Sequence, residues 1–314
     1  MKISVILPVY NEEENLKNIN AELLDVFASI NTDYEIIYVD DGSIDNSHQI
    51  IEQFSKTSEK IKSIRFKKNF GQTAALMAGV ENSKGDIVIF IDADLQNDPK
   101  DIIKMIELIN DGYDVVSGWR INRNDPLLKK IPSKIANKII SSICGLDIHD
   151  FGCTLKAYKR EIIKNINIYG EMHRFIPVYA KSLGARIIEM PVNHRPRIYG
   201  KSKYGLSRIV KVILDLFTLK LLMSYNTNPM HLFGKIGILI ILTGILSVSV
   251  AIYDKIYKGV WMHRNPLVLL SAVCILLGVQ FIFNGLLAEL LIRIFYSLKK
   301  NKSYSIMQKT NFDY

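Results

Sequence analysis

Apolar and polar positions along the N-terminal part of the chain follow two alternating patterns. From Lys2 to about Asn193, short runs rich in Val and Ile alternate with longer segments whose apolar residues recur at helical spacing. This alternation is typical of a parallel sheet covered by helices, and it predicts an α/β fold. The predicted strands are 3–9, 34–39, 61–66, 87–91 and 115–117. The predicted helices are 13–30, 45–56, 72–82 and 99–111.

Two longer apolar runs near the C-terminus predict a different kind of element. Residues 233–253 are apolar, small or hydroxylated except for Lys235, and residues 266–292 are mostly Leu, Ile, Val, Phe and Ala. An α-helix needs about 20 such residues to cross a hydrocarbon core of roughly 30 Å. We therefore expect two transmembrane helices joined by the short loop 254–265.

The segment 204–225 has apolar residues at helical spacing, interrupted by Lys211, Asp215 and Lys220. An amphipathic helix on the membrane surface fits this pattern better than a third span. A soluble helix packed under the sheet domain is the alternative. The expected organisation is a sheet domain at 1–200, a juxtamembrane segment at 201–230, the helix pair at 231–295 and a basic, loosely ordered tail at 296–314.

The net charge of +9 is concentrated beside the predicted spans. Lys and Arg residues precede the first span and follow the second, although Lys255, Lys258 and Arg264 lie in the loop between them. With no signal peptide at the start, this asymmetry predicts a multi-pass protein of the cytoplasmic membrane, with the sheet domain and both termini cytoplasmic. The basic charge suits anionic lipid better than nucleic acid, since no nucleic-acid motif accompanies it.

Oxygen-bearing side chains follow the fourth predicted strand. Asp92, Asp94 and Gln96 occupy alternating positions directly after the run 87–91. They would share one side of a strand, and a turn after residue 92 would also allow them to surround one ion. Two carboxylates and an amide suit a hard divalent cation, whose shell is commonly completed by the phosphates of a nucleotide or another diphosphate. The alternative is an acidic turn in which Asp98-Pro99 starts the next helix.

Polar segments also follow the first two predicted strands. The first strand leads into 8–12 (Pro-Val-Tyr-Asn-Glu), and the second leads into 40–43 (Asp-Asp-Gly-Ser). A carboxylate at a strand end followed by Gly-Ser suits hydrogen bonding to a base or ribose, while turn formation and helix capping explain the same residues without a ligand. The sequence has neither a Gly-x-Gly-x-x-Gly dinucleotide motif nor a Walker lysine loop.

Taken in order, the segments 8–12, 40–43, 69–71 (Asn-Phe-Gly) and 92–96 (Asp-Ala-Asp-Leu-Gln) resemble the motifs of glycosyltransferase family 2. The resemblance covers about residues 1–225 and implies a GT-A fold with a Rossmann-like, mostly parallel sheet. The two predicted spans narrow it to the polyprenyl-phosphate glycosyltransferases, a subgroup similar to dolichyl-phosphate mannose synthase and the bacterial undecaprenyl-phosphate glucosyltransferases.

The resemblance assigns roles to residues on the donor side. It implies that Asp94 and Gln96 bind Mg²⁺ or Mn²⁺ between two phosphates, with Asp92 as a third ligand beside the donor sugar. The residues implied to hold the nucleobase and ribose are Pro8, Tyr10, Glu12 and Asp41.

On the acceptor side, Arg120 matches an arginine that reaches phosphate in relatives. Asp150 matches an aspartate that acts as a base or orients the nucleophile, but the Phe-Gly-Cys-Thr that follows it departs from several relatives. The role of Asp150 therefore stays open. The expected catalytic residues are Asp92, Arg120 and Asp150.

A basic segment lies just before the presumed interfacial helix, where the family binds its prenyl phosphate. Lys201, Lys203 and Arg208 are therefore expected to bind the acceptor phosphate, and general attraction to anionic lipid is the alternative. His173 and Arg174 are candidates for the sugar side, although a lone histidine is more often structural.

The expected reaction is an inverting, metal-dependent transfer of one hexose from a nucleotide sugar to a polyprenyl phosphate for a cell-envelope glycan. The expected substrates are UDP-glucose and undecaprenyl phosphate, with UDP-GlcNAc and GDP-mannose as alternative donors. A processive polysaccharide synthase would share the donor site, but the chain lacks the Gln-x-x-Arg-Trp element of that group. A non-enzymatic membrane scaffold is a further alternative. Gln280, Asn284 and Glu289 inside the second span predict contacts within the helix pair or in a homo-oligomer.

Overall fold

The computed structural model describes residues 1–121, 137, 140–141, 144–166, 168, 172–196, 230–297 and 306–312. These residues form two compact units, one containing a sheet and the other a pair of long helices. Lys201, Lys203, Arg208 and the segment 204–225 lie outside the described residues.

The sheet unit follows the alternation of strands and helices that the sequence predicts. Its strands are β1 (Lys2–Val9), β2 (Asp33–Asp40), β3 (Ile61–Phe66), β4 (Ile87–Phe90), β5 (Val115–Trp119), β6 (Lys156–Lys159), β7 (Ile187–Pro191) and β8 (Ile306–Thr310). Its helices are α1 (Glu13–Ser29), α2 (Ser47–Thr57), α3 (Gln72–Asn82), α4 (Asp101–Asn110), α5 (Arg160–Ile163) and α6 (Ile176–Ser182), with a 3₁₀ turn at Met172–Phe175 before α6. The five predicted strands and four predicted helices of residues 1–121 are confirmed to within a few residues.

The eight strands form one mixed sheet in the order β7-β5-β6-β4-β1-β2-β3-β8. β1 is parallel to β2 and β4, β2 is parallel to β3, and β5 is parallel to β7. β6 is antiparallel to both of its neighbours, β4 and β5. Because β6 runs in the opposite direction, the loop before it lies at the edge where β4 and β5 end.

The hydrophobic core lies on both faces of the sheet. Ile3, Val5 and Leu7 of β1 pack in one large cluster with apolar residues of α1 and α4. On the other face, a Cβ added at Gly79 of α3 would clash with the side chain of Ile6. Glycine at this position therefore allows α3 to approach the central strand closely. Burial on both faces is the reason that the central strands are rich in Val, Ile and Leu.

The C-terminal tail differs from its prediction. Residues 306–310 form β8, an antiparallel strand beside β3, and belong to the same compact unit as the rest of the sheet. Asn311, at φ 64°, donates through Nδ2 to the carbonyl oxygens of Ser55 at 2.6 Å and Ile61 at 2.8 Å. Lys309 donates to Asn82 Oδ1 at 2.6 Å. The expectation of a loosely ordered tail was wrong for these residues, because polar contacts rather than an apolar run hold the strand.

The second unit consists of two antiparallel helices, α7 (Met230–Lys258) and α8 (Pro266–Ser297), joined through a 3₁₀ turn at Met262–Arg264. Both are long and apolar enough to cross a membrane. They pack through small residues: a Cβ at Gly237 would lie 2.7 Å from the carbonyl oxygen of Gly278, and one at Gly278 would lie 2.6 Å from that of Gly237. Close approach at glycine is a common way for apolar helices to pack in lipid. The two helices include the apolar runs 233–253 and 266–292 and extend up to five residues beyond them.

The contacts of Asn311 predict a measurable contribution to stability. We expect Asn311→Gly to lower the free energy of unfolding of the sheet unit by about 1–3 kcal/mol, since glycine keeps the positive φ but leaves buried carbonyls without their donor. Thermal unfolding of the purified protein measures this loss. Gln308→Ala, at an exposed position of the same strand, is the control. A melting temperature equal to that of the control would contradict the role assigned to Asn311.

Candidate functional site

Polar segments gather at one edge of the sheet. β1, β2 and β4 are parallel neighbours that end at Val9, Asp40 and Phe90. The segments 10–12, 41–43 and 92–96 follow these ends directly. Because the carboxyl ends of parallel strands meet at one edge of a sheet, three of the predicted motifs lie at the same edge.

The segment 92–96 forms a turn rather than a continuation of β4. Leu95 has φ 62°, an uncommon conformation for a residue other than glycine, and the amide of Gln96 donates to Asp94 Oδ1 at 3.2 Å. Asp94 is buried, while Asp92 and Gln96 are half-buried. Gln72, the first residue of α3, donates through Nε2 to Asp92 Oδ1 at 2.9 Å. The turn therefore holds two carboxylates in a restricted space at the strand end.

The pKa of Asp92 is shifted by burial and by the charged groups around it. Burial and the neighbouring Asp94 raise the pKa of Asp92 to about 7, while a hydrogen bond from Thr154 and the charge of Arg120 lower it, and Glu12 raises it further. The negative charge of Asp94 disfavours ionisation of Asp92, and a bound cation removes that penalty. Asp92 is therefore the point at which several charged groups of this edge interact.

The donor set of the turn fits a divalent cation. Among the described residues, no three His, Cys, Asp or Glu side chains form a metal-binding group. The turn supplies two carboxylates, Asp92 and Asp94, and the amide of Gln96. Such a partial oxygen set suits Mg²⁺ or Mn²⁺, because these ions commonly take their remaining ligands from water and substrate phosphates. Asp92, Asp94 and Gln96 would hold such an ion, which would supply positive charge to phosphate oxygens bound beside it.

Asp41 fixes a second loop at the same edge. Its two carboxylate oxygens accept the amides of Phe70 at 2.7 Å and Gly71 at 2.9 Å, and burial raises its pKa to about 6. Gly42, at φ 71°, packs against the backbone of Lys68, where a Cβ would lie 2.5 Å from the carbonyl carbon. The predicted segments 40–43 and 69–71 are thus joined by Asp41.

The segment 8–12 is tied to the same region. Pro8 lies within β1, where it pairs with Val39, and Tyr10 follows the strand half-buried. The amide of Asn11 donates to Ser43 Oγ at 3.0 Å, and the amide of Glu12 donates to Ser47 Oγ at 3.0 Å. The serines therefore accept amides from the segment 8–12, whereas the sequence suggested Ser43 as a helix cap.

Arg120 and Asp150 form one bidentate ion pair. Arg120 follows β5, and Asp150 lies in the loop before β6. The guanidinium donates through Nε to Asp150 Oδ2 at 2.7 Å and through Nη2 to Oδ1 at 2.9 Å, and the Asp150 side chain is only 3 % exposed. The two residues were predicted separately, and the structure brings them together.

His173, a predicted candidate, and Arg195 are both held by structural contacts. His173 is buried, its Nδ1 lies 2.8 Å from Thr73 Oγ1, and burial holds the pKa of its imidazole well below the usual range. A neutral histidine in this position connects α3 to the 3₁₀ turn before α6. Arg195 donates to Glu22 at 2.8 Å and Asp98 at 2.9 Å, while its amide donates to Gln96 O at 2.8 Å. The chain that leads towards the basic segment therefore passes directly beside the turn 92–96.

The sequence did not point to four residues that support this site. Gln72 and Thr154 contact Asp92 from α3 and from the loop before β6. Glu189 of β7 and Lys156 of β6 contact that loop as well. For Lys156 and Glu189, the signal would have been a charged residue inside a strand. Such a residue needs a partner when it is buried, and so indicates a contact.

The family model for glycosyl transferase family 2 matches residues 4–166 of the chain. The chain belongs to this family. The matched region runs from within β1 to beyond β6 and includes the segments 8–12, 40–43, 69–71 and 92–96. The sheet of this family 2 protein is the GT-A-like, mostly parallel sheet that the motifs implied.

Two relatives are similar over nearly the whole chain. A protein of Rhizobium johnstonii named dodecaprenyl-phosphate galacturonate synthase is 38% identical, with 98% of this chain and 93% of the relative covered. A protein of Photorhabdus laumondii named undecaprenyl-phosphate 4-deoxy-4-formamido-L-arabinose transferase is 35% identical, with 98% and 94% covered. Both alignments therefore include the C-terminal helix pair as well as the sheet unit.

Solved structures of GT-A enzymes share the fold of the sheet unit. Glucosyl-3-phosphoglycerate synthase from Mycobacterium tuberculosis, solved with Mn²⁺, UDP and phosphoglyceric acid, superposes with a TM-score of 0.55 at 17% identity, covering 70% of this chain and 77% of that one. Mannosyl-3-phosphoglycerate synthase from Rubrobacter xylanophilus gives a TM-score of 0.56 at 15% identity, covering 70% and 74%. At these identities the likeness concerns the fold.

The raised pKa of Asp92 predicts a pH dependence of cation binding. Below about pH 7 a proton competes with the ion, so we expect the affinity for Mn²⁺ to fall by up to about tenfold per pH unit. The same raised pKa makes the metal-free folded state lose stability as the pH rises through about 7. Calorimetric titration with Mn²⁺ between about pH 6 and pH 8 measures the first effect. An affinity that is constant across this range would contradict the assignment.

Proposed function

We propose that this family 2 protein transfers one sugar from a nucleotide sugar to a polyprenyl phosphate at the cytoplasmic face of a membrane. One observation carries the proposal: the carboxylate pair Asp92 and Asp94 and the ion pair Arg120–Asp150 meet at one sheet edge, and Arg120 acts electrostatically on Asp92. A transferase that acts on a lipid phosphate needs two positive charges. A cation held by the carboxylates would neutralise the leaving diphosphate, and Arg120 would neutralise the anionic acceptor. The names of the two relatives, both polyprenyl-phosphate sugar transferases, support the same substrate class.

The donor half of the reaction uses the ends of β1, β2 and β4. We assign Pro8, Tyr10, Glu12 and Asp41 to the nucleobase and ribose of the donor. Asp92, Asp94 and Gln96 would hold the cation that stabilises the nucleoside diphosphate as the anomeric carbon–oxygen bond breaks and the diphosphate leaves with the electron pair. These assignments are supported by the shared edge and by the ties among the segments 8–12, 40–43 and 69–71.

The acceptor half uses an anion that is already a nucleophile. A lipid monophosphate needs little help from a general base near neutral pH, because an oxygen of the phosphate attacks the anomeric carbon directly. Attack from the face opposite the leaving group inverts that carbon. Asp150 is engaged by Arg120 through both oxygens, so we assign it the role of orienting Arg120 towards phosphate rather than of taking a proton.

The fold of the C-terminus supports the proposed membrane topology. β8 pairs with β3 in the same sheet unit, so the chain that leaves the sheet unit before α7 has to return to it after α8. Two spans achieve this return, since they bring the chain back to the side on which it started. We therefore propose that both termini lie on the cytoplasmic side with the sheet unit.

A comparison of labelled donors would identify the sugar that the protein transfers. UDP-glucose was the expectation from the sequence, whereas the names of the two relatives specify galacturonate and 4-deoxy-4-formamido-L-arabinose. The purified protein, undecaprenyl phosphate and Mn²⁺ are incubated with radiolabelled nucleotide derivatives of glucose, galacturonate, formamido-arabinose, N-acetylglucosamine or mannose. We expect label from one donor to enter the lipid phase as a single sugar. Label in a long water-soluble polymer, or in no product with any donor, would contradict the proposal.

Removal of one carboxylate tests the donor half. We expect Asp94→Ala to lower transfer by at least about 100-fold, since the charge on the leaving diphosphate would lose its counter-ion. Asp111→Ala, at an exposed aspartate after α4, is the matched control. Both variants are compared by rates of lipid-phase labelling and by thermal unfolding. Substantial Mn²⁺-dependent transfer by a folded Asp94→Ala protein would rule out the assignment.

Removal of two cations tests the acceptor half. We expect the double variant Lys201→Ala with Lys203→Ala to raise KM for undecaprenyl phosphate by roughly tenfold or more, because a charge-assisted hydrogen bond contributes about 1.5–3 kcal/mol. KM for the nucleotide sugar should stay within about twofold. The control removes the same charge from exposed positions, Lys100→Ala with Lys104→Ala. An acceptor KM equal to that of the control would exclude this placement.

A further inference from the structure

The loop 149–154 touches both halves of the proposed site. We refer to these six residues as the Asp150 loop. At one end Asp150 holds the guanidinium of Arg120, and at the other end Thr154 hydrogen-bonds to Asp92. The loop lies at this edge because β6, which follows it, is antiparallel to β4 and β5. The spacing between the donor and acceptor charges therefore depends on the conformation of this loop.

Glu189 holds the first residues of the Asp150 loop. It lies on β7, in register with Ser117 of β5. Its Oε1 accepts the amides of His149 at 2.8 Å and Asp150 at 2.9 Å, and its Oε2 lies 2.8 Å from His149 Nδ1. The ring of His149 also stacks on Trp119, with centroids 4.3 Å apart. One carboxylate from a neighbouring strand thus fixes the backbone from which the Asp150 side chain projects.

Lys156 holds the remainder of the loop. It is the first residue of β6, and it is only 3% exposed. Its Nζ donates to the carbonyl oxygen of Phe151 at 3.2 Å and to that of Cys153. Burial, with the positive charges of Arg120 and Arg174, lowers the pKa of this ammonium. A buried ammonium that donates to two carbonyls of one turn restricts the backbone of that turn.

We propose that Glu189 and Lys156 are positioning residues that clamp the Asp150 loop from two strands, so that Arg120 and Thr154 keep their places beside Asp92. The inference rests on the proposed function, because it assigns these two residues to the geometry of that reaction. Neither side chain has to touch a substrate. Their effect on transfer passes through Asp150 and Thr154, and a shift of about 1 Å in a group that orients reactants can cost on the order of 100-fold in rate.

The geometry identifies a conservative variant of Glu189. Both backbone amides bind the same oxygen, Oε1, so the single carbonyl oxygen of glutamine can accept both. Glu189→Gln therefore keeps the two hydrogen bonds from the loop amides, while it removes the negative charge and places an NH2 group instead of Oε2 beside His149 Nδ1. Glu189→Asp keeps the charge but shortens the side chain by one methylene, and Glu189→Ala removes both. The clamp requires reach and an acceptor oxygen rather than charge.

A double-mutant cycle tests whether Glu189 acts through Asp150. We expect Glu189→Ala to lower kcat about 10- to 100-fold with KM for the donor within about threefold, and Glu189→Gln to retain activity within about threefold. In an Asp150→Ala background, Glu189→Ala should cost less than about twofold more, because interacting residues are not additive. Glu107→Ala, at an exposed position of α4, is the control. Fully additive losses would overturn the proposal.

Amide hydrogen exchange tests the clamp independently of sugar transfer. Peptides that contain the Asp150 loop should exchange faster in Glu189→Ala, Glu189→Asp and Lys156→Met, and as in the wild type in Glu189→Gln. If Glu189→Ala does not fold, the Asp and Gln variants give the same comparison. Protection that is equal in all folded variants would refute the clamp. If the wild-type protein transfers no sugar to polyprenyl phosphate, the proposed function fails, and the exchange data still decide whether the clamp exists.

Discussion

The burial of two neighbouring carboxylates, Asp92 and Asp94, at the end of β4 is the constraint on which the rest of the site depends. Burial, and after it the charge of Asp94, raises the pKa of Asp92 to about 7. A protein retains such an arrangement at a cost, because each buried charge needs a partner. Gln72, Thr154 and Arg120 supply part of that compensation, and a bound divalent cation would supply the remainder. The segments that carry Gln72, Thr154 and Arg120 therefore all approach Asp92.

The strand order explains how distant parts of the chain reach the same place. β1, β2 and β4 deliver the segments 8–12, 40–43 and 92–96 by their carboxyl ends, which is the usual location of a ligand in a parallel sheet. The antiparallel strand β6 adds the Asp150 loop at its amino end. The ion pair Arg120–Asp150 is therefore a product of the mixed topology, and a fully parallel sheet would have placed that loop at the opposite edge.

The sequence predicted the polar segments at the ends of β1, β2 and β4, but not the contacts that Arg120, Asp150 and Glu189 make, for physical reasons. Runs rich in Val and Ile identify strands buried on both faces, so the carboxylates that follow them could be located in advance. β6 and β8 contain lysines and are held by pairing with distant strands, which leaves no local pattern. The ion pair of Arg120 with Asp150, 30 residues apart, and the contacts of Glu189 depend on tertiary structure that spacing does not encode.

The position of a bound ion tests the account most directly. A structure of the protein with Mn²⁺ and a nucleoside diphosphate, solved with anomalous data at the manganese edge, locates the ion without reference to activity. The account predicts a single peak bonded to carboxylate oxygens of Asp92 and Asp94 at roughly 2.0–2.2 Å, with the diphosphate completing the shell. A peak elsewhere, or a diphosphate bound at this edge without an ion, would contradict the claim that the carboxylate pair serves the leaving group.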